Sequence, residues 1–230
     1  VRGLVQAVAV PVTVKIRIFP EVERTLAYAK MLESAGASLL AVHGRTREMK
    51  DASMHLPDWD QIKAVREALS IPVLGNGGVR HLGEAEALMN YTGVQGVLSA
   101  EPLLVDPGLF ASRRVGFQGK VPALEAIEMA ARYLELAKTH RVHTRMVRGH
   151  VHRILSPWLA EYTGIRNRVN VGRNSIEDFA LAVDELKTLV AASGRVEPRP
   201  VSKEAAEATN RQEREEARRG AIEEQEREAH

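Results

Sequence analysis

The chain of 230 residues is 44% apolar with a formal net charge of +2, the balance of a globular protein of one or two domains and too little charge to imply nucleic-acid binding by itself. It has no cysteine, which excludes disulfides, thiolate zinc sites, iron–sulfur clusters and any cysteine acid or nucleophile within these residues. No apolar run approaches the ~20 residues of a membrane span, and the opening VRGLVQAVAV lacks the layout of a secretory signal. A cytoplasmic setting is expected, with the nucleus as the alternative.

Residues 1–9 read as the last turns of a helix, and the alternation of Val10, Val12, Val14, Ile16 and Ile18 then reads as a strand that Pro20 stops. Residues 21–35 place Leu26, Ala29, Met31 and Leu32 at helical spacing, and Gly36 stands where a helix-ending glycine belongs. A second strand covers 39–42. Asp58 caps a helix over 59–69, a third strand covers 71–74, and 75–78 form a tight glycine turn. A helix over 82–91 ends at Gly93, before a fourth strand over 94–98. Strands recur every ~25 to 33 residues, the size of one strand-and-helix unit, so this part is a βα repeat.

Beyond Pro122 the pattern is helical only, over 124–138, 141–155, 157–162 and 175–192, which predicts a helical bundle. From Arg195 onward Glu, Arg, Ala and Gln dominate and large apolar residues almost vanish. Such a stretch cannot bury enough surface to fold alone, and is expected to be disordered or a solvated helix.

In βα-barrels the residues just past the carboxyl ends of the strands build the active site, so Lys15, His43, Asn76, Gly77 and Gly78 are expected to converge. A glycine turn between strand and helix can offer backbone N–H groups to an anion, although an ordinary βα loop would look the same. Alternation puts Lys15 on the face opposite Val14 and Ile16, together with Arg17. A charge in mid-strand is costly to bury unpaired, so Lys15 should have an acceptor inside the fold, unless it reaches solvent at the strand end. His43 could equally be a core histidine satisfied by backbone.

The segment 138–153 carries Lys138, Arg141, Arg145, Arg148 and Arg153, with His140, His143, His150 and His152, and no acid. On one helix Arg141, Arg145, Arg148 and His152 would share a face while Val147, Val151, Ile154 and Leu155 take another. That arrangement suits phosphate contact with RNA, against the plainer reading of a solvated charged face. His150 and His152 do not face one another on a helix and no nearby carboxylate completes a ligand set, so no metal is expected.

Taken together, VTVKIR at 12–17, VHGRTRE at 42–48 followed by Lys50 and Trp59, IPVLGNGGV at 71–79, and Asp106-Pro107 before Phe110 resemble the tRNA-dihydrouridine synthase family, in its eukaryotic-type branch that works on the D-loop. The segment SAEPLL and the basic stretch RMVRGHVHRIL carry the resemblance to that branch, and the likeness extends to about Leu189.

The resemblance implies an FMN-dependent TIM barrel, of which 1–118 would be the C-terminal half of a (β/α)8 fold, 119–194 an all-α tRNA-binding bundle, and 195–230 a charged tail. It implies that Lys15 and His43 hold and tune FMN, that Asn76, Gly77 and Gly78 hold its phosphate, and that Ala100 and Glu101 stand where many relatives have Gly-Arg. There the charge is inverted, so only the Glu101 backbone would serve a phosphate. Lys138, Arg141, Arg145, Arg148, His152 and Arg153 would grip tRNA. NADPH would reduce FMN, which would pass hydride to the uracil double bond while a cysteine on the loop after the fourth barrel strand protonates the other carbon. Strands one to four and that cysteine are expected to lie outside this sequence. Two other readings stay open: a different FMN barrel acting on a small molecule, which the basic helix disfavours, and a non-catalytic RNA-binding fragment.

Overall fold

The computed structural model describes residues 1–49, 55–111, 121–140 and 142–200. The chain divides into two compact units, Val1–Lys120 and Val121–His230.

In the first unit, α1 (Arg2–Ala7) leads to β1 (Thr13–Arg17), α2 (Val22–Ser34), β2 (Leu39–His43), α3 (Trp59–Ala68), β3 (Val73–Asn76), α4 (Leu82–Thr92), β4 (Gly96–Leu98) and α5 (Glu101–Val105). The strands form one parallel sheet in the order β1-β2-β3-β4. Strand alternation decides what each face carries. Ile16, Leu40, Val42 and Val73 point into a core shared with Ala29, Ile62, Val65 and Leu88 of the helices. The residues between them, Lys15, Arg17, His43 and Asn76, belong to the opposite face.

Polar ties set the helices against the strand ends. Thr25 Oγ1 donates to Gln61 Oε1 at 2.8 Å, Gln61 Nε2 donates to the Phe19 carbonyl at 3.1 Å, and the Phe19 amide donates to Thr25 Oγ1 at 3.0 Å. Those bonds clamp α2 and α3 onto the segment that follows β1. Asp58 caps α3 by accepting from the Gln61 amide, as its position predicted.

Three strands begin later than the sequence suggested, β1 at Thr13 rather than Val10. Ile71 gives its amide to Glu33 Oε1 at 3.1 Å rather than to the sheet, so β3 starts at Val73. Before β4, Gln95 pairs with Val73 through both its amide and its side chain, at 3.0 and 2.8 Å. Helix α5 was not foreseen, because SAEPLL reads as the end of a strand.

In the second unit, α6 (Ala123–Thr139), α7 (Thr144–Ile154), α8 (Ser156–Glu161), α9 (Thr163–Asn170) and α10 (Ile176–Ser193) pack around Ile127, Leu134, Val147, Val151, Trp158 and Leu186. A reciprocal cap starts α10: Ser175 accepts from the Asp178 amide while Asp178 accepts from the Ser175 amide. The expected helix over 141–155 begins only at Thr144, because His143 Nδ1 accepts from the Arg145 amide and so caps α7 there. Helix α9 was not foreseen either; its run of Gly164, Asn167 and arginines shows little apolar periodicity.

At the end of this unit Glu161 receives both terminal nitrogens of Arg195, at 2.9 and 2.5 Å, and the Arg199 amide at 2.8 Å. The first residues of the expected tail are therefore held, and the remainder from Val201 lies outside the described residues. Among the described residues no helix is long and apolar enough to cross a membrane.

Candidate active site

Parallel register aligns the strand ends in two rows. Arg17 pairs with His43, His43 with Asn76, and Asn76 with Leu98. One pleat below, Lys15 pairs with Ala41, Ala41 with Leu74, and Leu74 with Gly96. Lys15, His43 and Asn76 thus share one sheet face near the carboxyl ends, as expected from alternation.

The Asn76-Gly77-Gly78 turn is built against His43. Asn76 is 7% exposed and its Nδ2 donates to the Leu98 carbonyl at 2.9 Å, tying the turn to β4. Gly77 and Gly78 have φ of 112° and 78°, a region that L side chains rarely adopt. A Cβ on Gly77 would lie 3.0 Å from both His43 Cδ2 and Pro57 Cβ, and one on Gly78 would lie 2.9 Å from Pro57 Cγ. Trp59 Nε1 donates to the Gly77 carbonyl at 3.3 Å. Helix α4 starts at Leu82, capped by His81, so Val79, Arg80 and His81 separate the glycines from its first turn.

Ala100 is the N-cap of α5 and Glu101 its first residue. The preceding Ser99 donates to the Val79 carbonyl at 2.8 Å, which brings the start of α5 alongside the loop that follows Gly78.

Two residues that the sequence did not single out complete the cationic rim. Arg17 Nη1 donates to the Thr46 carbonyl at 2.7 Å. Arg45 is 8% exposed, donates through Nε to the His55 carbonyl at 2.7 Å, and brings Nη1 to 3.3 Å from His43 Nε2. Arg17 shares its parity with Lys15, a signal that was legible. The approach of His55 to Arg45 was not.

This crowding sets the electrostatics. Burial, then the charges of Arg17, Lys15 and Arg45, push the His43 pKa down from 6.5 to about 4. Burial and then Arg17 also lower the Lys15 pKa. The acceptor expected for Lys15 is not found among the described residues, where Lys15 is exposed. The unfolded chain protonates His43 before the folded one does, so stability should fall as the pH drops from about 6.5 to about 4. Urea midpoints across that range should show the fall, and His43→Gln should flatten it; an equal slope in the variant would assign the effect elsewhere.

The basic residues of the second unit are arranged differently from the expectation. Lys138 lies on α6 and donates to Glu135 Oε1 at 2.7 Å, an acid just outside the acid-free stretch. Arg141 lies outside the described residues. Arg145, Arg148 and His152 keep one face of α7, with Arg153 beside it, while Val147, Val151 and Ile154 are buried on the other. Arg148 Nη1 donates to the carbonyl of Asn170, the last residue of α9, at 3.3 Å, so part of this charge serves the unit's own packing.

The model of the dihydrouridine synthase family matches residues 1–196. The chain belongs to the dihydrouridine synthase family. It is 42% identical over 164 residues to a tRNA-dihydrouridine(16/17) synthase-like protein of Rattus norvegicus, covering 71% of this chain and 35% of that one. It is 36% identical over 171 residues to a tRNA-dihydrouridine(16/17) synthase of Schizosaccharomyces pombe, covering 71% of this chain and 42% of that one. A human tRNA-dihydrouridine(20a/20b) synthase-like protein is 40% identical over 111 residues, covering 48% of this chain and 34% of its own length. The chain therefore spans roughly a third to two fifths of the length of these relatives.

Proposed function

We propose that the chain forms the cofactor-holding and RNA-gripping portion of an FMN- and NADPH-dependent enzyme that reduces uridine to dihydrouridine in the tRNA D-loop. The observation that carries this reading is the aligned row of Arg17, His43 and Asn76, backed by the Gly77-Gly78 turn, in a chain that the dihydrouridine synthase model matches over 1–196. The four parallel strands are read as the C-terminal half of a (β/α)8 barrel, whose catalytic end is the end on which this row lies.

The residues present suit FMN. A flavin carries an anionic phosphate, and its ring gains negative charge on reduction; Lys15, Arg17 and Arg45 supply cations around a histidine that stays uncharged. The two glycines let the turn lie directly against His43 and Pro57, where an added Cβ would come within 3.0 Å of them. In this reading Lys15 and His43 hold the ring, the 76–78 turn holds the phosphate, and the backbone at Ala100 and Glu101 borders it. Bound FMN would supply hydride to the uracil 5,6-double bond. The chain has no cysteine, so the proton for the other carbon is assigned to a group outside these residues. Arg145, Arg148, His152 and Arg153, with Lys138 and Arg141, are assigned to tRNA phosphates.

A flavin-fluorescence titration of the full chain with FMN tests the cofactor half. Saturable binding is expected, and Lys15→Ala should weaken it by roughly tenfold, worth about 1.4 kcal/mol. No saturable binding by the unaltered chain would overturn the reading. For the RNA half, Arg145→Glu, Arg148→Glu and Arg153→Glu together should weaken tRNA in a gel-shift titration and shallow its salt dependence. Unaltered binding would return these residues to a solvated face.

A further inference from the structure

The contact between Arg45 and His43 carries more than charge. A guanidinium has donors only, so where Arg45 Nη1 meets His43 Nε2 at 3.3 Å the ring nitrogen must be the acceptor. A neutral imidazole that accepts at Nε2 carries its proton on Nδ1. Arg45 is itself anchored, since its Nε is committed to the His55 carbonyl at 2.7 Å and the side chain is buried.

The glycine turn backs the same edge of the ring. A Cβ at Gly77 would meet His43 Cδ2 at 3.0 Å and Nε2 at 3.3 Å, so the Cδ2–Nε2 edge is closed by protein on two sides. Nδ1 has no hydrogen-bond partner among the described residues. Among the described residues the charged neighbours of His43 are Lys15 and Arg17 on β1 and Arg45 on its own loop, while its partner on β3 is the uncharged Asn76.

We propose that Arg45 is a positioning residue that locks His43 as the neutral Nδ1–H tautomer, so that this site offers its ligand one imidazole N–H donor and requires an acceptor opposite it. A ring carbonyl oxygen or an unprotonated ring nitrogen meets that requirement; a ligand N–H does not. The ligand half of the inference rests on the flavin reading, whereas the tautomer itself rests only on the Arg45, His43 and Gly77 geometry.

The test is a long-range proton–nitrogen correlation spectrum of the full chain labelled with nitrogen-15 histidine, at neutral pH, with the His43 signals assigned by their loss in His43→Gln. A protonated Nδ1 and a bare Nε2 are expected. In Arg45→Met the Nε2–H form should gain population and the His43 pKa should rise from about 4. Arg45→Lys, which restores a donor, should recover part of the original pattern. A protonated Nε2 in the unaltered chain would overturn the proposal, as would an unchanged tautomer in an Arg45→Met protein with native amide shifts. If that variant fails to fold, the spectrum of the unaltered chain decides alone. Failure of FMN to bind would sink the flavin reading while leaving these spectra as they are, so the two failures are separable.

Discussion

Gly77→Val is expected to abolish FMN binding and to lower the stability of the first unit, the largest single effect at the site. The backbone there has φ of 112°, where an L residue costs about 1–3 kcal/mol before any contact is counted. The new Cβ would sit 3.0 Å from His43 Cδ2 and from Pro57 Cβ, and valine adds two methyl groups beyond it. Relief would have to come from the His43 ring or from the turn, and either movement disturbs the row that the register builds. Urea unfolding and a flavin-fluorescence titration measure the two effects. Gly164→Ala is the control, since Gly164 lies in α9 with nothing within 4 Å of an added Cβ and should bind FMN as before. A Gly77→Val protein that binds FMN as tightly as the unaltered chain would remove the turn from the site.

Trp158→Ala should unfold the second unit at a much lower urea concentration. Trp158 is fully buried, and its Nε1 donates to the Ala123 carbonyl at 2.6 Å, pinning the start of α6 to α8. Truncating a buried tryptophan costs about 3–5 kcal/mol through lost burial and the cavity left behind, and the lost indole hydrogen bond adds to it. The chain has two tryptophans, so in this variant Trp59 alone reports on the first unit by fluorescence while helical circular dichroism follows the second. The loss of helix should come first. A midpoint equal to that of the unaltered chain would mean that the indole does not organise these helices. Because α7 packs into the same core through Val147 and Val151, Arg145 should lose its fixed position together with that core.

Much of the fold was legible because its signals are local. The period-two alternation around Lys15 told which face it occupies, Asp58 stood three residues before the amide it accepts from, and Gly93 marked the end of α4. Errors arose where a side chain competed for a backbone amide. Glu33 took the Ile71 amide and delayed β3, and His143 turned to its own backbone and split the basic stretch between α6 and α7. The acid-free stretch also overstated the free charge, because Glu135 lies within reach of Lys138 from the preceding turn.

Residue types, their parity and their order along the chain were enough to determine a parallel βα sheet followed by helices, the side of the sheet on which Lys15 and Arg17 lie, and the absence of a cysteine acid. Spacing along a chain carries that much because strand and helix periods are properties of the backbone itself. Only the tertiary structure decided that Arg45 meets His43 Nε2, that Gly77 closes the same edge of the ring, and that burial and three cations hold that histidine neutral. Each of those depends on distances across strands and loops, and hydrogen-bond direction and desolvation exist only once such distances are set.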